Sequence, residues 1–193
     1  MIWRRGLLLA GYTLALAVLL TLCDACCHVR TGVLFYTHPD EGSLFGGQPT
    51  WPVFVGFVRI AAVCTGLGWW TCRQLPPSPL GRGLASTAAF VACYAASGIW
   101  TDAPMTLHAL FLLAWIGHLW FYPDRPWTTV ALCVVLGVAG PVGEGYVSQT
   151  GFFAYHRADA YHVPVWLSGL YLHGGLAIAG TLPRVMSWAK EST

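Results

Sequence analysis

A chain of 193 residues that is 56% hydrophobic and only 9% charged, with ten tryptophans, does not fit a soluble domain, where charged residues run near ~25%. The formal charge of +2 and the lack of any basic run speak against nucleic acid as a partner and leave the ten cations as a topology signal. The composition is that of an integral membrane protein with one domain.

Apolar stretches of spanning length, separated by charged or Pro/Gly-rich breaks, predict transmembrane helices near 6–28, 51–72, 83–100, 104–122, 126–147 and 164–186. The expected fold is all-α, a polytopic six-helix membrane bundle forming a single domain over 1–193. Arg4, Arg5, Arg73, Arg82, Arg125, Arg184 and Lys190 fall at the termini and the even-numbered loops, against Arg30 and Arg157 on the opposite face. Both termini are therefore expected in the cytoplasm.

Helix 1 begins after MIWRR but has no A-x-A-like cleavage site, and Leu22 before Cys23 is a poor lipoprotein site, so the segment is expected to remain as a helix. It closes in LTLCDACCHVRTG (20–32). Cys23 and Cys26 have CxxC spacing, but neither outer loop contains the second cysteine pair that a redox relay needs. Cys26, Cys27 and His28 are adjacent and diverge around a helix, which is wrong for a metal. Asp24 and His28, four apart, share a helical face and read as an acid–imidazole pair pointing into the bundle. The plainer alternative is a polar pair that ends the helix at the interface.

Helix 2 carries Arg59 within its apolar run. Small residues along helix 3, LASTAAFVACYAASG (84–98), allow tight packing within the bundle or between protomers. In the turn that follows, Asp102 is placed to cap helix 4 ahead of Pro104. His108 lies one turn into helix 4, and His118, deeper among aromatics, reads as a satisfied core group. In helix 5, GVAGPVGEG (137–145) surrounds Glu144 with four glycines and Pro141, which predicts a kink and a freed carbonyl lining a cavity; close packing through the glycines is the alternative. Helix 6 enters through Trp166 and carries His173. His38, His156 and His162 fall in the outer loops.

Charge in a bilayer is costly, about 3 kcal/mol per group on insertion scales, so Asp24, Arg59, Glu144 and His173 are expected to be paired or to face a cavity. At a rise of about 1.5 Å per residue, Arg59 lies about 12 Å below Trp51 and His173 about 13 Å below Pro164. All four fall in the outer half of the membrane, where Arg59 is expected to bridge both carboxylates with His108 nearby. A metal cluster of His28, His108, His173 and Glu144 is chemically allowed, but no HxxE or HxxxH pair supports it; no metal and no cofactor is expected.

The chain also repeats itself. Gly32-Val-Leu-Phe-Tyr36 is echoed by Gly151-Phe-Phe-Ala-Tyr155, an acid follows each tyrosine by four residues (Asp40 and Asp159), and both copies re-enter the membrane through Trp and Pro, as TWPVF (50–54) and VPVW (163–166). Helices 1–2 and 5–6 thus read as two copies of one hairpin about an axis along the membrane normal, with loops 29–50 and 148–163 in equivalent outer positions.

The run SQTGFFAYHRADAYHVPVWLSGLYLHGGLAIAG (148–180) resembles the last two helices of the Insig (insulin-induced gene) family, and TWPVF (50–54), SGIWTDAP (97–104) and WFYPDR (120–125) match it in order and position. The similarity covers roughly residues 30 to 186. It implies a six-helix bundle with a lipid cavity: eukaryotic members bind oxysterols and retain a sterol-sensing escort protein in the endoplasmic reticulum, and bacterial relatives are thought to bind diacylglycerol-like lipids. Nine arginines against one lysine, and no asparagine, suit a bacterial cytoplasmic membrane protein from a GC-rich genome, with the endoplasmic reticulum as the expected site were the chain eukaryotic. Asp102 matches an acid used in partner release in the eukaryotic family. The intramembrane charges depart from that family, whose spans are largely uncharged.

Two functions follow from these residues. The first is a protein that binds a diacylglycerol-, sterol- or isoprenoid-like lipid in a cavity with a polar outer end formed by Asp24, His28, Arg59, His108, Glu144, Trp166 and His173. The second is an intramembrane isomerase, cyclase or hydrolase of a lipid, with Asp24 and Glu144 as catalytic acid and base. Absence of an established catalytic signature favours the first. A structural subunit with buried salt bridges is the plain third reading.

Overall fold

Apolar runs broken by Pro/Gly turns fold as six helices, in the computed structural model that describes residues 2–39, 47–73, 76–120, 122 and 126–191. Asp40 and Arg125 lie outside that set, as does the side chain of Lys190. The helices are α1 (Ile2–Cys23), α2 (Thr50–Cys72), α3 (Leu80–Ile99), α4 (Pro104–Leu119), α5 (Pro126–Gln149) and α6 (Leu167–Glu191), with strands β1 (Leu34–Tyr36) and β2 (Phe153–Tyr155) between them. Three segments, Trp3–Val29, Thr50–Cys72 and Trp127–Gln149, are long and apolar enough by themselves to cross a membrane.

α6 is the hub, packed against the other five helices. It is the least apolar of the six and the most enclosed, with Leu170, Leu176 and Leu182 almost fully buried. Helix association in lipid relies on close packing rather than on escape from water, which favours small residues at the seams. Gly175 of α6 lies against Cys133 of α5 so closely that a Cβ there would stand 2.6 Å from the Cys133 Cα. α3 divides its small residues between two faces. Gly83, Ser86, Ser97 and Gly98 are buried in the bundle, whereas Ala85, Ala88, Ala92 and Ala95 face outward.

The two repeat copies meet at the outer end as an antiparallel ribbon, with Phe35 opposite Ala154 and the pairs Leu34–Tyr155 and Tyr36–Phe153 on either side. Phe35 and Ala154 are equivalent positions of the repeat, so a local two-fold passes between them. The flanking bonds obey it: Thr37 N donates to Phe152 O, and His156 N to Val33 O. Gly32 and Gly151 open the two copies at φ 76° and 78°, a left-handed turn that a side chain would strain.

The copies differ in one respect. α1 continues past Cys23 as a π-turn, Asp24–Val29, in which Arg30 N bonds to Ala25 O and Val33 N to His28 O, five residues back. Such a turn takes one extra residue into the helix and occurs disproportionately at functional sites. It explains why Asp24 and Glu144 are one residue out of register between the copies.

α5 continues as one helix through Pro141. Its glycines admit side chains from α6 and the loop before it: a Cβ at Gly140 would lie 2.4 Å from the Tyr171 ring, and one at Gly145 2.3 Å from Tyr161. Asp102 does not cap α4, whose N-cap is Ala103 with no side-chain bond. Its carbonyl accepts from Arg157 Nη1 at 3.3 Å instead. Arg157 Nε also meets Asp159 Oδ1 at 3.3 Å, and Asp159 Oδ2 accepts from Val165 N at the approach to α6.

Candidate functional site

At the outer end of the bundle the π-turn places Asp24 and His28 inside, 4% and 2% exposed. Tyr36 on β1 donates to Asp24 Oδ2 at 2.8 Å and Gln48 Nε2 donates to the same oxygen at 2.7 Å. His28 Nδ1 faces the other oxygen, Oδ1, at 3.7 Å. The protons can be placed from the neighbours. Ser97 sends its one proton to the Tyr94 carbonyl at 2.9 Å, so its oxygen accepts from His28 Nε2, also at 2.9 Å. The imidazole is thereby held between Ser97 and the Asp24 carboxyl group.

The second copy builds the matching arrangement around Glu144 on α5. Tyr155 on β2 donates to Glu144 Oε2, and Tyr171 on α6 to Oε1 at 2.5 Å. Both ribbon phenols are held above their ordinary range, Tyr36 by burial and then by the Asp24 charge, Tyr155 by burial and then by Glu144, so each stays protonated as a donor. Trp166 joins the halves: its ring lies 5.5 Å from His28 and 6.3 Å from Tyr155, centre to centre. Glu144 is in turn within electrostatic reach of His28 and Asp24.

Beneath this layer lies a cavity of about 170 Å³ between α1, α2, α3, α5 and α6. Its wall is mostly apolar, from residues such as Leu16, Leu20, Phe57, Phe90 and Ile178. The polar side chains in the wall carry hydroxyls or a thiol: Tyr94 and Tyr171 toward the outer layer, Thr87 and Cys64, and Tyr12 hydrogen-bonded to Thr181 at 2.7 Å. Neither carboxylate lines it. Tyr171 stands between the cavity and Glu144, and Tyr94, whose ring centre is 4.9 Å from that of His28, separates it from the Asp24 pair.

Four of the seven expected site residues, Asp24, His28, Glu144 and Trp166, thus come together, and three do not. Arg59 is exposed on α2 and pairs with neither acid. α2 packs through Ala61, Cys64, Thr65 and Gly68, and residues 59 and 61 are about 200° apart on a helix. His173 is buried at the α4–α6 seam, where Nε2 bonds to Phe111 O at 3.1 Å beside His118, 6.5 Å away between ring centres. His108 is half-buried, with Ser168 as its neighbour at 3.5 Å. No disulfide joins any two of the seven cysteines, and no cluster of three or more metal-ligating side chains occurs among the described residues.

Sequence reading missed Gln48, Tyr94, Ser97 and Tyr171, and took Tyr36 and Tyr155 only as markers of the repeat. The signal for the two tyrosines was present: each follows a helix-borne acid by eleven or twelve residues, which one helical end and a tight turn can bring back.

No family model matches the chain, and no curated protein sequence matches it. Solved structures do. The fold is similar to a mycobacterial Insig homologue, MvINS from Mycobacterium vanbaalenii, at a TM-score of 0.67 and 25% identity, over 90% of this chain and 94% of that one. It is also similar to a cross-linked MvINS trimer, at a TM-score of 0.75 and 24% identity, over 93% and 94% of the two chains. Six helices in the same arrangement over nearly the full length of both proteins, with the sequence likeness noted at TGFFAY and TWPVF, make this chain an Insig-like membrane protein that resembles the bacterial homologues.

Proposed function

We propose that this protein binds a neutral, chain-bearing membrane lipid in the cavity between α1, α2, α3, α5 and α6, with the lipid's polar end toward Tyr94 and Tyr171. The carrying observation is the wall itself: apolar over most of its surface, with hydroxyls at its two ends and no cation or anion. A phosphate or carboxylate headgroup would find no counter-charge there, whereas a hydroxyl or ester loses nothing. The volume narrows the ligand further. About 170 Å³ is below the ~300–1,000 Å³ of sites that enclose a rigid ligand, and suits a section of acyl or isoprenoid chain. Native mass spectrometry of protein extracted in mild detergent, with lipid analysis of what travels with it, tests this: a neutral lipid should co-purify, and a protein free of lipid or carrying only phospholipid would refute it.

The acid–base alternative needs Asp24 or Glu144 at the cavity wall, and each instead commits its oxygens to neighbouring donors. The outward alanines of α3, at 85, 88, 92 and 95, give a close-packing surface on which copies of the chain associate, in keeping with the trimer formed by cross-linked MvINS. The cation asymmetry supports both termini on the inner side, and the excess of arginine over lysine with no asparagine supports a bacterial cytoplasmic membrane.

A further inference from the structure

We propose that Glu144, which does not itself line the cavity, decides which polar group a bound lipid must carry: by taking the only proton of Tyr171 it turns that hydroxyl into an acceptor, so the site selects a lipid with a hydroxyl donor over one with only a carbonyl or ether. This rests on the lipid-binding reading above and adds a selectivity residue to it.

A phenol has one proton to give and lone pairs to receive with. Tyr171 gives its proton to Glu144 Oε1 at 2.5 Å, a short bond of the charge-assisted kind. Glu144 Oε2 is taken by Tyr155, whose only proton is likewise committed. Nor can Tyr171 readily turn away. Its ring lies on Gly140 at a distance where a Cβ would stand 2.4 Å from it. What Tyr171 offers a ligand is therefore an oxygen that accepts.

Tyr94 is the complementary group. It lines the same cavity, lies within electrostatic reach of both Glu144 and Tyr171, and its hydroxyl makes no hydrogen bond among the described residues, so it can donate. An alcohol placed between the two donates to Tyr171 and accepts from Tyr94. A ketone or ester of the same shape meets Tyr94 but leaves Tyr171 facing a lone pair. In so apolar a place an unmatched polar group costs about tenfold or more in affinity. A carboxylate adds repulsion from Glu144.

The experiment compares a long-chain secondary alcohol with the ketone of the same chain, a hexadecanol and the matching hexadecanone, for binding to the detergent-solubilised protein. The wild type should prefer the alcohol by about tenfold or more. Tyr171→Phe should lose the preference, because the alcohol loses its acceptor and the ketone is no longer set against a lone pair. Glu144→Gln should narrow the preference, because a glutamine amide can donate to Tyr171 and release the phenolic proton toward the cavity; Tyr155→Phe should keep the preference. Equal binding of alcohol and ketone by the wild type, or an undiminished preference in Tyr171→Phe, overturns the inference while leaving lipid binding standing. Binding of neither probe overturns the lipid-binding reading and the inference with it. Should Glu144→Gln fail to fold, Tyr171→Phe decides the question alone.

Discussion

Tyr36 reaches back twelve residues to donate a 2.8 Å hydrogen bond to Asp24, and its repeat counterpart Tyr155 makes the same reach to Glu144 in eleven. The π-turn at Asp24–Val29 absorbs the difference, so two acids at unequal sequence positions end in equivalent places beneath one ribbon. The outer ribbon is thereby tied at both strands to groups inside the helical bundle.

Asp24 receives two donors and faces an imidazole, whereas Tyr36 contributes one bond. Asp24→Ala takes a partner from three buried side chains at once and should cost about 3 kcal/mol, against about 1.5 kcal/mol for Tyr36→Phe. Thermal unfolding in detergent measures both; equal losses would mean that the carboxylate is not the centre of the network.

Gly98 permits α3 to lie on the π-turn, since a Cβ there would stand 2.1 Å from the Cys27 carbonyl oxygen, a backbone atom that cannot move aside. Gly98→Ala should destabilise by about 3 kcal/mol. Gly66→Ala, on an exposed helical face with nothing within 4 Å, should be neutral or gain up to about 1 kcal/mol in helix propensity. A tolerated Gly98→Ala would refute the close approach.

Ala15 both lines the cavity and is exposed, which marks it as part of the rim. Ala15→Phe should obstruct the cavity without overpacking the core and reduce co-purifying lipid about tenfold, with stability changed by less than about 1 kcal/mol. Undiminished lipid in the mass spectrum of this variant would place the ligand elsewhere.

Arg59 sits on the outward face of α2 with no ion-pair partner among the described residues. Replacing it by leucine should make insertion easier by about 2–3 kcal/mol and leave the Asp24 and Glu144 networks intact. Expression level and thermal stability check this; a large loss of stability in Arg59→Leu would show that Arg59 has a partner in an assembly.

The Asp24–His28 pairing was legible in the sequence, because four residues on a helix share a face whether the turn is α or π. Arg59 was not. Its depth could be estimated from the rise per residue, but its direction around the helix could not, and an inward direction was the only one that gave it a partner. Glu144 was found as an acid within an apolar run, but its tyrosine partners come from a strand and from α6, and only Gly140 shows why Tyr171 can come so close.

Composition and local order alone therefore determined the six helices, their breaks, the internal repeat and the helical faces set by short spacings. These follow from the length of an apolar run and from 3.6 residues per turn. Tertiary structure decided which way each helix turns and what each polar side chain meets. In water an amphipathic stripe announces a helix's inward face; in a bilayer the lipid and the core are both apolar, the contrast vanishes, and glycine contacts and buried hydrogen bonds set the rotation instead.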